Sequence, residues 1–322
     1  MIALEPNIFH SYLRKQDENV WGQMLAKIIP SVHPVDQTAT RIWFSFWPLK
    51  LSQALQRAED RLQTAKKLQL DGNYRLETQI DSSVKFLYGA RYWPAVKKAV
   101  LLHAESSSNP ERISLEGQIR EITGSVAVHL ETSESLLLGI TAVAVMTLQQ
   151  VGIAAFSIAA DHQAVQPKDG RSPDQVLKTR ARESRGGVFS FLHAIDRKFS
   201  ITFDESKVDC GFQAIRNQDL SMASASDKRD YKSGDQRRIA GPIPAQCRSG
   251  ACGYCWIGIL CGKEKLSEIT PFEKKRLRYF GYASSENDGE THPPIRLACQ
   301  SRCFGDLSIV IPPWNGVLDG CL

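Results

Sequence analysis

No cysteine occurs before position 210, although the 322-residue chain holds eight. That excludes a disulfide framework or a thiolate metal site from everything N-terminal to it. Charge of either sign is not in large excess. The formal net charge is +5, too small to point to a nucleic-acid partner. Residues 1–165 carry sixteen Lys/Arg against sixteen Asp/Glu, and residues 166–322 carry twenty-four against nineteen. The whole basic excess therefore lies C-terminal. The seven histidines form no HExxH or Glu-x-x-His pair, and no GxGxxG or P-loop signature is present, so the chain lacks the common metalloprotease, di-iron and nucleotide fingerprints. Residues 1–20 lack a basic-then-apolar leader. The expected compartment is the cytoplasm, where clustered thiols bind metal or do redox chemistry.

What is there divides by period. Residues 1–165 read as a helical domain. Apolar spacing predicts helices over 17–29, from Pro48 through Leu62, over 76–93, from Pro94 to His103, and over 114–130. The aromatic run Trp43, Phe44, Phe46 and Trp47 reads as core. Residues 136–160 carry no charge and are long enough to span a bilayer. Gln149 and Gln150 in its middle favour a buried central helix, or a bent helix pair, over membrane contact. Residues 166–187 are polar, basic and broken by Gly and Pro, which is the composition of a flexible linker. From 188 the pattern alternates: a strand over 198–204, a partner over 210–216, a short helix near 220–225 and a polar loop to 238.

The chemistry is carried by Cys247-Arg248-Ser249-Gly250-Ala251-Cys252-Gly253-Tyr254-Cys255. Its C-x4-C-x2-C spacing wraps one side of a [2Fe–2S] cluster and needs a distant fourth cysteine. Each iron takes two bridging sulfides and two protein thiolates. A loop can close around that unit only where its backbone comes near, which Ser249, Gly250, Ala251 and Gly253 permit. Backbone N–H groups of the loop, from Arg248 to Tyr254, can then point at sulfur and favour the more negative reduced state. Cys299, just before a strand over 307–311, is the leading fourth ligand. Cys303 and Cys261 are the others, Cys261 lying on a strand that leaves the loop.

These residues, with Leu266-Ser267-Glu268-Ile269-Thr270, a helix from Pro271, and Arg296-Leu297-Ala298-Cys299-Gln300, make residues 188–322 resemble the [2Fe–2S] ferredoxins. The loop is similar to the plant-type branch, and the residues C-terminal to it look like the adrenodoxin branch. The resemblance implies a β-grasp fold and a one-electron carrier whose metal ligands are Cys247, Cys252, Cys255 and Cys299. The expected class is thus α+β, an all-helical N-terminal domain followed by a ferredoxin-like domain. Two features depart from that branch. The gap between Cys255 and Cys299 is long, with the extra residues assigned to 283–294. The helix over 271–280 carries Lys274, Lys275, Arg276 and Arg278 against Glu273 alone, whereas that branch presents an acidic helix. A partner redox enzyme is expected, with an acidic face or the chain's own helical part meeting this helix.

Other assignments fit less well. A zinc ribbon wants paired C-x2-C knuckles, and a thioredoxin-like pair wants a βαβ context. The iron–sulfur subunits of fumarate reductase complexes place their fourth cysteine much sooner. Against a dedicated electron carrier stand two alternatives: a redox sensor or assembly protein, and an oxidoreductase with a second cofactor in the helical domain.

Overall fold

The computed structural model describes residues 7–158, 170–184, 197–205, 207, 209–282 and 290–315. The chain is a mixed α+β protein in two compact units. One comprises Met1–Gln53 and Arg75–Pro173, the other Ala54–Tyr74 and Asp174–Leu322.

Helices α1 (Ile8–Arg14), α2 (Glu18–Ile28), α3 (Pro34–Phe46) and α4 (Leu49–Arg57) come first. After α5 (Arg61–Lys67) and the two-residue strand β1 (Asp71–Gly72), the first unit resumes with α6 (Trp93–Ser106), α7 (Leu115–Leu130) and α8 (Glu134–Ile158). Side-chain caps set several starts. Asp17 accepts the Val20 N–H and Ser114 the Gly117 N–H, each satisfying an orphan donor of the first turn. Pro94 sits in the first turn of α6, where its missing N–H costs nothing.

Helix α8 is the axis of this unit, and α1, α3, α6 and α7 pack on it. Every residue from 137 to 150 is buried. Close approach needs Gly139, where a Cβ would lie 2.5 Å from the Thr40 hydroxyl. The two mid-helix glutamines are satisfied. Gln149 accepts the Trp21 indole N–H at 2.6 Å and donates to the Gln16 carbonyl, and Gln150 donates to the Trp47 carbonyl at 2.8 Å. At Gly152 the backbone leaves the helix (φ 78°, ψ 165°) and bends it. The segment is long and apolar enough to cross a membrane, but 78% of its most apolar window is covered by the protein itself. Trp43, Phe46 and Trp47 are core.

Two expectations are corrected, besides the helix from Pro48 through Leu62, which ends at Arg57 and restarts at Arg61 behind the Asp60 cap. Residues 76–93 are not one helix. Leu76, Ile80, Val84 and Leu87 are buried at near-helical spacing, yet the chain runs through turns and 3-10 segments at Leu76–Thr78 and Tyr88–Tyr92. Side chains take over its backbone partners: Ser82 and Ser83 hydroxyls donate to the Gln79 and Ile80 carbonyls, and Asp36 accepts the Tyr88 and Gly89 N–H groups at 2.6 Å. Such local bonding competes with helix. Second, the span read as a flexible linker holds α9 (Pro173–Ser184). Its Arg180 pairs with Glu205, Nη2 to Oε2 at 2.8 Å. Residues 166–169 and 185–187 of that span lie outside the described residues.

The second unit continues with β2 (Lys198–Thr202), β3 (Gly211–Ile215), α10 (Leu220–Ala225), β4 (Trp256–Cys261), α11 (Pro271–Tyr279), β5 (Ile295–Leu297), β6 (Leu307–Val310) and β7 (Trp314–Asn315). Five strands form one sheet in the order β3-β2-β6-β4-β5. Strand β2 runs parallel to β6, and the other pairs are antiparallel. Strand β2 alternates, with Phe199 and Ile201 inward, as a half-covered strand does. Trp256 to Leu260 of β4 and all of β6 are buried. A second, two-stranded sheet joins β1 to β7, with Asp71 opposite Asn315 and Gly72 opposite Trp314. A piece of the N-terminal half, Ala54–Tyr74, thus belongs to the sheet-bearing unit and not to the helical one.

Candidate metal centre

The loop from Gln246 to Cys255 lies between the polar segment after α10 and the start of β4. It turns tightly because three residues take the left-handed backbone conformation: Arg248 (φ 54°), Gly250 (φ 78°) and Gly253 (φ 69°). The two glycines are also required by space. A Cβ at Gly253 would lie 2.4 Å from the Phe280 ring, and one at Gly250 would lie 2.8 Å from Phe272. Arg248 takes this conformation with a side chain, at a cost of order 1 kcal/mol.

The four cysteines gather in two pairs. Cys247 lies near enough to Cys252, and Cys299 to Cys255, to act electrostatically on its ionisation. The pairs are close enough for Cys252 to act electrostatically on Cys255, and Cys247 on Cys299. Among the described residues no group of three or more His, Cys, Asp or Glu is arranged to hold a single metal ion.

Donors surround the sulfurs. The Ser249 and Cys252 N–H groups donate to Cys247 Sγ at 3.5 and 3.3 Å. Gln300 Nε2 donates to Cys299 Sγ at 3.5 Å. These contacts set the ionisation of the thiols. Partial burial pushes the Cys247 thiol up, but the Ser249 and Cys252 hydrogen bonds outweigh it and bring it down to about 6. The neighbouring Cys255 lowers Cys299, and Cys299, with burial, holds Cys255 well above the thiol range. Burial raises Cys252. Four cysteines, with N–H donors at Cys247 and an amide donor at Cys299, are the residue types that a [2Fe–2S] cluster takes.

Exposure is asymmetric. Cys247 is exposed and Cys252 half-buried, whereas Cys255 and Cys299 are buried. Arg248, Ser249 and Ala251 are exposed as well. One pair faces solvent and the other is sealed.

The competing cysteines are occupied elsewhere. Cys261 Sγ lies 3.6 Å from the Arg180 carbonyl. Cys303 is buried, donates to the Gly305 carbonyl at 3.1 Å, and is pushed up to about 11 chiefly by burial. Cys321 lies outside the described residues, as do residues 283–289 of the segment assigned to the extra length.

Helix α11 braces both sides of the centre, which residue types alone did not reveal. Arg276 Nε donates to the Gly250 carbonyl at 3.1 Å, and its Nη2 to the Ala251 carbonyl. One turn earlier, Glu273 accepts Arg296 Nε and Nη2, both at 2.9 Å, and the Leu297 N–H at 2.9 Å. Arg296 and Leu297 lead into Cys299. The charge count along this helix is therefore corrected: Glu273 is wholly buried, and Arg276 is committed to the loop. The signal for Glu273 was its place in the first turn, after Thr270 and Pro271; for Asp71, whose charge acts on Tyr254 of the loop, there was none, because it lies far away in sequence.

No protein-family model matches this chain, and no solved structure matches it.

Proposed function

We propose that residues 188–322 hold one [2Fe–2S] cluster on Cys247, Cys252, Cys255 and Cys299 and serve as a one-electron carrier for a partner redox enzyme. The observation that carries this is the tight turn of the 247–255 loop, with the Ser249 and Cys252 N–H groups donating to Cys247 Sγ at 3.5 and 3.3 Å and Gln300 donating to Cys299 Sγ at 3.5 Å. The strand order adds support. A β-grasp sheet places its first and last strands side by side and parallel at the centre, as β2 and β6 run here. A cluster so held takes up and releases a single electron. The chain's own residues do the rest. N–H groups of Ser249 and Cys252 stabilise negative charge on the Cys247 sulfur. Burial of Cys255 and Cys299 keeps water from one side, and the exposed Cys247 edge is where a partner comes near.

The test is electron paramagnetic resonance of the dithionite-reduced full-length protein, with iron and zinc analysis of the same sample. The expected result is about two irons per chain and the rhombic signal of a reduced [2Fe–2S] centre. Cys299→Ser should lose or alter it, while Cys261→Ser and Cys303→Ser keep it. Zinc with no signal, from protein kept anaerobic, overturns the proposal.

A further inference from the structure

Residues Phe272, Lys275, Arg276 and Tyr279 recur at the spacing that puts them on one side of α11. This side adjoins the cysteine loop, since Arg276 holds the Gly250 and Ala251 carbonyls and Gly250 packs against the Phe272 ring. Phe272 is 47% exposed and Tyr279 45%, unusual for large apolar side chains unless something is to cover them. The Arg276 guanidinium lies over the Tyr279 ring, 4.7 Å from its centroid. Lys275 is exposed, and so is Arg248 on the loop. The carboxylate of this helix is removed from the surface, because Glu273 is 0% exposed and paired with Arg296. Lys274 and Arg278 are engaged within the chain and are not counted in this face.

We propose that Phe272, Lys275 and Tyr279, with Arg248, form the docking face through which electrons pass, and that its partner is a redox protein presenting carboxylates around an apolar centre. This rests on the reading of the four cysteines as cluster ligands. Charge sets the partner's sign: an exposed cationic rim beside the exposed Cys247 favours an anionic surface and speeds its approach at low salt. The two aromatic rings supply the apolar contact that holds the encounter.

The test needs no identified partner. The reduced full-length protein is mixed in a stopped-flow instrument with hexacyanoferrate(III) or hexaamminecobalt(III), from low to high salt, and oxidation is followed by the visible absorption of the cluster. The expected rate with the anionic oxidant falls as salt rises, and the rate with the cationic one rises. Lys275→Gln and then Lys275→Glu should lower the anion-to-cation rate ratio stepwise, by about tenfold in all at low salt. Lys98→Glu, an exposed change of equal charge on α6, should leave it within about twofold. Equal effects of Lys275→Glu and Lys98→Glu would mean that net charge and not a local face is being read, and would overturn the proposal. So would rates insensitive to oxidant charge, or rates that rise on dilution because a second copy covers the face. A preparation with no iron and no visible absorption fails the underlying reading instead, and the docking proposal falls with it.

Discussion

Glu273 and Arg296 are both fully buried, each at 0% side-chain exposure. Taking two charges from water is costly, and their attraction offsets that only where every remaining donor and acceptor is satisfied. Here the carboxylate also takes the Leu297 N–H, and Arg296 Nη1 donates to the Ser267 carbonyl at 2.9 Å. Glu273→Gln leaves a buried cation without its counter-charge. The expected loss is about 3–5 kcal/mol in urea unfolding, with Glu273→Gln/Arg296→Met recovering part of it. A loss under about 1 kcal/mol would show the pair to be dispensable. At the same scale, Cys247 sets a pH dependence in protein stripped of metal. Its folded value of about 6 lies below the ordinary thiol range, so ionisation stabilises the folded state. That contribution is complete above the unfolded thiol's value and is lost as pH falls through about 6. Alkylation of Cys247 by iodoacetamide should therefore have its midpoint near pH 6, with Cys255 slow throughout. A Cys247 midpoint in the ordinary thiol range would remove the part assigned to the Ser249 and Cys252 hydrogen bonds.

At the scale of elements, the cysteine loop is a set of backbone conformations before it is a set of ligands. Gly253 combines φ 69° with the Phe280 ring 2.4 Å from where a Cβ would stand. Gly253→Ala is expected to destabilise the second unit by about 1–3 kcal/mol and to lower iron content, measured by thermal unfolding and metal analysis. Full iron and an unchanged midpoint would show that the loop has room to shift. Local chemistry made several elements legible from sequence. Helix α10 begins after Asp219, which accepts the Met222 N–H, and α11 after Thr270, which accepts the Glu273 N–H. The alternation in β2 and β3 fixed their register, Lys198 opposite Ile215. Where legibility stopped, the cause is non-local. Strand β5 is three residues long and buried throughout, too short for a period. The 76–93 segment has helical spacing, but Asp36 takes its Tyr88 and Gly89 N–H groups from 52 and 53 residues away. The four candidate cysteines were proposed from sequence because the spacing is local for three, with the fourth before a strand. Arg276 was visible only as a surface charge, because no pattern along the chain says which carbonyl a guanidinium reaches.

At the scale of the whole molecule, the path of the chain matters more than its order. Ala54–Tyr74 leaves the helical unit, closes a two-stranded sheet with a segment some 240 residues later, and returns. The closure is specific. Trp314 is fully buried, the Asn73 N–H donates to the Pro313 carbonyl at 2.8 Å, and the Asp71 carboxylate acts electrostatically on Tyr254 of the cysteine loop. Such a clasp ties residues from the N-terminal half to the candidate centre, and its loop entropy must be offset by these contacts. Gly72 is the weak point to probe. It sits at φ 84°, and a Cβ there would lie 2.5 Å from the Pro313 carbonyl oxygen and 2.7 Å from the Arg237 guanidinium. Gly72→Val in the full-length protein should open the β1–β7 pair. The Asn73 amide should then exchange at least about tenfold faster, equivalent to ~1.4 kcal/mol of lost local stability, while amides in α7 of the helical unit keep their protection. If Asn73 exchanges no faster, the clasp does not hold this segment. If protection is lost in α7 instead, Ala54–Tyr74 takes its stability from the helices, and the division of the chain at Gln53 and Tyr74 is wrong.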